Sequence, residues 1–92
     1  MSMTETDIQE SLEGVLVEVQ EREIILFNDD VNTFDWVIQC LMEICEHGPI
    51  QAEQCTYLVH FKGKCAVKKG SFEDLEPLCQ GLLDRGLSAE IH

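Results

Sequence analysis

Hydrophobic and polar positions follow two different periods along the chain, and the change of period predicts the order of its elements. Residues 24–27 are four consecutive apolar residues, a run short enough for a buried strand. The turn-forming residues 28–30 (Asn-Asp-Asp) follow it and predict the end of that strand. Residues 64–69 and 87–91 instead alternate between apolar and polar positions, which predicts two more strands with one face covered.

Two segments after the first strand have apolar residues at the spacing of an amphipathic helix. Asn32 or Thr33 can cap the first of these helices, which we expect to continue to Gly48. Pro49 suits the first turn of the second helix, and Gly63 suits its C-terminus. The apolar stripes are Phe34, Val37, Ile38, Leu41 and Cys45 in the first helix, and Ala52, Cys55, Leu58 and Val59 in the second.

A third helix is predicted after Ser71, which forms a capping box with Asp74, and it should end at Gly86. Its apolar stripe is Leu75, Leu78, Cys79 and Leu82. Pro77 conflicts with this helix, because a proline in a helix interior removes a backbone hydrogen bond. We therefore expect the regular helix to start near Asp74, or a looser turn to precede it.

The predicted order is strand, helix, helix, strand, helix, strand. This order favours a small α+β fold, a two-layer α/β sandwich of three antiparallel strands covered by three helices on one side. We assign residues 22–92 to this domain. Residues 1–21 contain six acidic residues and no basic one, and we expect them to form a flexible or partly ordered N-terminal extension.

Charge narrows the range of partners. The 92 residues include 18 acidic and 6 basic ones, and the net charge of −12 would repel phosphate backbones and anionic lipids, which argues against nucleic acid and membrane partners. No apolar run approaches the roughly 20 residues of a membrane span. The acidic N-terminus lacks the features of a signal peptide, so we expect a cytoplasmic protein, and at this charge a monomer.

The polar residues are open to more than one interpretation. Asn28, Asp29 and Asp30 suit a turn, and His60 suits the C-terminus of a helix. The five cysteines are odd in number, contain no C-x-x-C and lie mainly on apolar stripes, so we expect reduced core thiols and no metal or other cofactor. A hydrolase that pairs His60 with a thiol is the weakest hypothesis, because nothing selects one cysteine.

Two segments together carry a more specific pattern. They are residues 25–37, Ile-Leu-Phe-Asn-Asp-Asp-Val-Asn-Thr-Phe-Asp-Trp-Val, and residues 58–64, Leu-Val-His-Phe-Lys-Gly-Lys. An N-D-D segment before a helix and a later V-H-x-x-G-K segment resemble the ClpS family of adaptor proteins, from about Ile24 to Ile91. The resemblance implies an α/β sandwich of three strands and three helices. It also implies a non-enzymatic adaptor that binds substrates with bulky hydrophobic first residues (N-degrons) and delivers them to a Clp-type AAA+ unfoldase for proteolysis.

The same resemblance implies a site for a free N-terminus. An α-amino group has a pKa of about 7.7 to 8, so near neutral pH it is mostly a cation with three N–H donors that need acceptors. By resemblance, the acceptors are Asn28, one or both of Asp29 and Asp30, and His60. By the same resemblance, the hydrophobic pocket for the first side chain is formed by Asn32, Phe34, Val37, Thr56, Val59 and Leu87. Glu73 matches an acidic position that docks to the unfoldase.

Some positions differ from the family pattern. Phe34 stands where many relatives have methionine, so a rigid ring replaces a pliable chain at the pocket entrance. Asn32 and Thr56 also differ, which predicts a differently shaped and more polar floor. Residues 69–77 depart from the usual start of the third helix. An alternative hypothesis therefore keeps the fold but makes it a regulatory peptide- or amine-binding module without protease delivery.

Overall fold

A computed structural model describes residues 20–92 of the chain. The predicted order of elements is confirmed: β1 (Arg22–Phe27), α1 (Phe34–Ile44), α2 (Pro49–Lys62), β2 (Lys64–Gly70), α3 (Phe72–Asp84) and β3 (Ser88–Ile91). The extension predicted over residues 1–21 lies outside the described residues, apart from its last two. Within residues 20–92, no helix combines the length and apolarity needed to cross a membrane.

The sheet has the strand order β2-β1-β3, and β1 is antiparallel to both neighbours. Leu26 lies opposite Cys65 on one side and Ala89 on the other, and the register with β2 shifts between Ile24 and Ile25. The apolar run of β1 is buried in this central position, since Ile24, Ile25 and Leu26 are each at most 9% exposed.

The core lies between the sheet and the helices. Its largest fully buried side chains are Ile24, Leu26, Leu41, Leu75 and Leu82. α2 packs against α1 and β2, while α3 packs against β1 and β3. The fold is therefore the predicted α+β fold, with three helices and three antiparallel strands.

The predicted end of α1 at Gly48 is wrong. The helix ends at Ile44, and Cys45 is its C-cap, donating its backbone N–H to the Leu41 carbonyl. Glu46 then takes the left-handed conformation, with φ 58, that usually falls to glycine. Gly48 serves instead as the N-cap of α2.

The start of α3 also differs from the prediction. The helix begins at Phe72, directly after Ser71, whose hydroxyl accepts the Asp74 N–H at 3.1 Å, and it continues through Pro77. The carbonyl deprived of a partner by Pro77 belongs to Glu73, four residues earlier. Since Glu73 and Pro77 are both exposed, water can satisfy that carbonyl and the helix remains continuous.

Two hydrogen bonds and one glycine cap bring the loops together at one end of the sheet. The Asn28 backbone N–H donates to the Gly63 carbonyl at 2.9 Å, which joins the end of β1 to the end of α2. The Trp36 indole donates to the Arg85 carbonyl at 3.1 Å, which joins α1 to the turn before β3. Gly63, with φ 90, makes the left-handed C-cap that lets α2 end beside β1.

Candidate functional site

A narrow cavity of about 30 Å³ lies where the end of β1 meets α1, α2 and the start of β3. Its lining residues are Leu26, Phe27, Asn28, Asp29, Asn32, Phe34, Val37, Thr56, Val59, His60 and Leu87. The structure thus brings together all six residues of the predicted hydrophobic pocket. Asn28, Asp29 and His60, three of the predicted amine ligands, line the same cavity, whereas Asp30 and Glu73 do not.

Asn28 and His60 form part of the polar rim of this cavity. Asn28 follows the last residue of β1, and His60 lies in the last turn of α2. Both residues are exposed, and within residues 20–92 neither side chain has a hydrogen-bond partner. A side-chain amide and an imidazole at the rim can therefore accept hydrogen bonds from a ligand.

Asp29 shapes the loop between β1 and α1. Its Oδ1 accepts the backbone N–H groups of Val31 and Asn32, each at 2.8 Å, and its Oδ2 accepts the Asn32 side-chain amide at 2.8 Å. Burial acts to raise the pKa of Asp29, but the hydrogen bonds from Asn32 and Val31 outweigh it and hold the pKa below its usual value. The rim therefore carries a fixed negative charge at neutral pH.

Asp29 and Asp30 are not equivalent, although the sequence prediction grouped them. Asp30 is exposed, does not line the cavity and accepts no hydrogen bond from the residues that the structure describes. When an aspartate carboxylate accepts the N–H groups two and three residues later, the backbone forms an Asx-type turn. The N-D-D pattern indicates a turn, but only the tertiary structure shows which carboxylate faces the cavity.

Asn32 connects two loops around the cavity. Besides its bond to Asp29, its side-chain amide donates to the Gly86 carbonyl at 2.9 Å, so both amide hydrogens are used. Sequence reasoning placed Asn32 in the pocket but missed this connection. The spacing of three residues could have indicated the bond between Asp29 and Asn32, but no local signal indicates the bond to Gly86, which lies 54 residues away in the sequence.

The interior of the cavity is apolar. Val37, Val59 and Leu87 are buried, and the buried Thr56 hydroxyl donates to the Ala52 carbonyl at 2.7 Å within α2. Because that hydroxyl is already satisfied, Thr56 makes the cavity wall less polar than its residue type suggests. Two apolar residues of β1 that sequence reasoning did not assign to the site, Leu26 and Phe27, complete the lining.

Phe34 lies at the mouth within a cluster of rings. It is 38% exposed and meets His60 edge to face at a centroid distance of 5.0 Å. It also meets Tyr57 edge to face at 5.2 Å, and Tyr57 in turn stacks on Phe61 at 5.8 Å. The predicted entrance residue is therefore held in place by aromatic contacts from α2.

The cysteines do not form a catalytic site with His60. None of the five lines the cavity, and all are free thiols. Burial raises the pKa of Cys45 and that of Cys65 to about 11, so these thiols are protonated and poorly nucleophilic at neutral pH. Within residues 20–92, no group of three or more His, Cys, Asp or Glu side chains is arranged to hold a metal ion.

The chain is similar to known proteins of one family. Residues 18–90 match the family "ATP-dependent Clp protease adaptor protein ClpS". The ATP-dependent Clp protease adapter protein ClpS of Thermosynechococcus vestitus is 38% identical over 66 residues, which are 71% of this chain and 70% of that protein. The structure of Agrobacterium tumefaciens ClpS2 bound to L-phenylalaninamide superimposes with a TM-score of 0.75 at 17% identity, covering 78% of this chain and 94% of that one.

The family match covers most of the chain, and the structural likeness shows the same fold. Proteins of this family are adaptors of the ATP-dependent Clp protease, so the predicted non-enzymatic role and the predicted Clp partner are confirmed. The chain belongs to the ClpS family of Clp protease adaptor proteins.

Proposed function

We propose that this adaptor binds the free N-terminus of proteins whose first residue is bulky and hydrophobic, and delivers them to a Clp-type AAA+ unfoldase in the cytoplasm. The observation that carries the proposal is a single cavity that combines a polar rim with an apolar interior. A first residue presents the same two features, an ammonium group beside an apolar side chain.

The rim suits the ammonium group. The Asn28 side-chain carbonyl, the Asp29 carboxylate and a His60 ring nitrogen supply acceptors for its three N–H donors. Asp29 also supplies the opposite charge, and its lowered pKa keeps that charge in place at neutral pH. Hydrogen bonds that involve a charged group are the strong ones, each contributing about 1.5 to 3 kcal/mol.

The interior suits an apolar side chain but must open to admit it. A cavity of about 30 Å³ holds roughly one water, whereas a cavity known to bind benzene measures about 150 Å³. Phe34 is the exposed apolar residue of the lining, so its side chain is the one that can turn outward to widen the cavity while the buried lining residues stay in place. L-phenylalaninamide, the ligand of the structural relative, has both a free α-amino group and a benzyl side chain, which supports this ligand class.

Delivery is inferred from family membership. Glu73 lies exposed in the first turn of α3, where its carboxylate is accessible to a partner protein. We assign Glu73 to the contact with the unfoldase, and the acidic residues 1–21 to an arm that reaches toward it. A reconstituted degradation assay with a Clp unfoldase and its peptidase tests this assignment.

Titration calorimetry with a short peptide beginning with Phe, compared with its N-acetylated copy, tests the central claim. Acetylation removes the charge and two of the three donors, so we expect the affinity to fall by about tenfold or more. A peptide beginning with Gly controls for the apolar side chain and should also bind weakly. Equal affinity for the free and acetylated peptides would refute the proposed mode of binding.

Replacing Phe34 by Met should strengthen binding of peptides that begin with Phe by several-fold. The ring contacts that hold Phe34 across the mouth contribute about 0.5 to 1.5 kcal/mol each, and a flexible methionine opens more readily. Phe61→Met is the matched control, because Phe61 is exposed in the same ring cluster but does not line the cavity. Unchanged affinity in Phe34→Met, measured by calorimetry, would show that Phe34 does not restrict entry.

A further inference from the structure

A second cavity of about 270 Å³ adjoins the first on the side of α1 and α2. It is lined by Phe34, Asp35, Ile38, Glu53, Thr56 and Tyr57. Phe34 and Thr56 line both cavities, so they separate one from the other. A peptide whose first side chain enters the narrow cavity must therefore pass next to the larger one.

The walls of the second cavity combine apolar and anionic groups. Phe34, Ile38 and Tyr57 provide aromatic and aliphatic surface, while Asp35 and Glu53 provide carboxylates from two different helices. Among the ion pairs within residues 20–92, none involves Asp35 or Glu53. Both carboxylates are exposed, so neither has to be uncovered before a ligand arrives.

These surfaces fit a long basic side chain. Lysine and arginine pack an aliphatic stem along apolar surface and keep a cationic head in a polar setting. The head can lie against an aromatic face and pair with carboxylates. Ile38 and Tyr57 would give the stem an apolar wall that does not depend on the orientation of Phe34.

We propose that this second cavity binds an arginine or lysine side chain at the second position of the peptide whose first residue occupies the narrow cavity. Consecutive Cα atoms lie 3.8 Å apart. The second side chain therefore starts beside the Phe34 wall that the two cavities share. This assignment depends on the function proposed above and adds a preference that the amine and the first side chain do not provide.

Calorimetry with three peptides that differ only at the second residue tests the assignment: Phe-Arg, Phe-Ala and Phe-Glu, each followed by the same sequence. We expect Phe-Arg to bind about fivefold more tightly than Phe-Ala, and Phe-Glu to bind more weakly than either. Raising the salt concentration should shrink this difference, because exposed charges are screened. Equal affinity for Phe-Arg and Phe-Ala would overturn the second subsite while leaving amine recognition intact.

Charge-neutralising variants locate the effect. In the double variant Asp35→Asn, Glu53→Gln, the preference for arginine should disappear while the affinity for Phe-Ala stays unchanged. Glu76→Gln is the matched control, since Glu76 is an exposed acid of α3 that does not line the second cavity. A loss of preference in Glu76→Gln as large as in the double variant would overturn the subsite, because overall charge would then explain it. Failure of all three peptides to bind wild-type protein would refute the proposed function together with the subsite.

Discussion

Replacing Asp29 by alanine should weaken binding of a peptide that begins with Phe by about a hundredfold, or ~3 kcal/mol. The variant loses the negative charge of the rim and also the acceptor for two backbone N–H groups and one side-chain amide. Without those bonds the loop that follows Asn28 is no longer fixed. Asn28, which is a second acceptor for the amine, then loses its position as well. Titration calorimetry with the Phe peptide measures the loss.

Asp30→Ala is the matched control for this variant. It removes the same charge one residue later, but Asp30 is exposed and does not line the cavity. We expect it to change the affinity less than twofold. Similar losses in the two variants would mean that the general negative charge of the loop, and not the hydrogen bonds of Asp29, supports binding.

The same side chain gives an expected dependence of stability on pH. The pKa of Asp29 is lower in the folded than in the unfolded chain. Its ionised form therefore stabilises the fold at pH above the unfolded value of about 3.9, and this contribution is lost as the pH falls through the folded pKa. In urea denaturation between pH 6 and pH 2, Asp29→Ala should lose less stability on acidification than the wild type, whereas an identical loss would exclude Asp29 as a contributor.

Replacing Leu82 by alanine should destabilise the domain by about 2 to 5 kcal/mol. Leu82 is fully buried in the core beneath α3, and removing its side chain leaves a cavity that the surrounding residues fill only in part. In a domain of this size, each kcal/mol lowers the melting temperature by about 4 to 8 °C. Thermal unfolding followed by circular dichroism should therefore show a fall of at least about 8 °C.

Leu83→Ala is the matched control for the core variant. It makes the same chemical change in the same helix, at a side chain that is 44% exposed. We expect a loss below about 1 kcal/mol, because much of the side chain is already in contact with water. Equal losses at the two positions would contradict the orientation of α3 in this structure.

The order of the elements could be predicted because each has a period that burial imposes on it. The run Ile24–Phe27 became the central strand, and the helical stripes became the buried faces of α1, α2 and α3. The two errors concern helix ends. Gly48 was a plausible stop, but Glu46 took the left-handed position instead, and Pro77 was tolerated because the carbonyl it leaves unpaired is exposed.

The residues of the candidate site could be named only through the resemblance carried by residues 25–37 and 58–64. By itself, Asn28 is typical of a turn, and His60 is typical of the end of a helix. The larger ring cluster at the mouth, with Tyr57 and Phe61, was not assigned a role, because ring contacts between α1 and α2 depend on how the two helices pack.

By itself, the sequence determined the element order, the apolar faces, the acidic charge and the family motifs, because these depend on residue type and on spacing along the chain. Only the tertiary structure decided that Asp29 and not Asp30 lines the cavity, that the cavity is narrow, and that Asp35 and Glu53 share a second one. Those features depend on distances between residues of different elements, and the packing of helices on the sheet sets such distances.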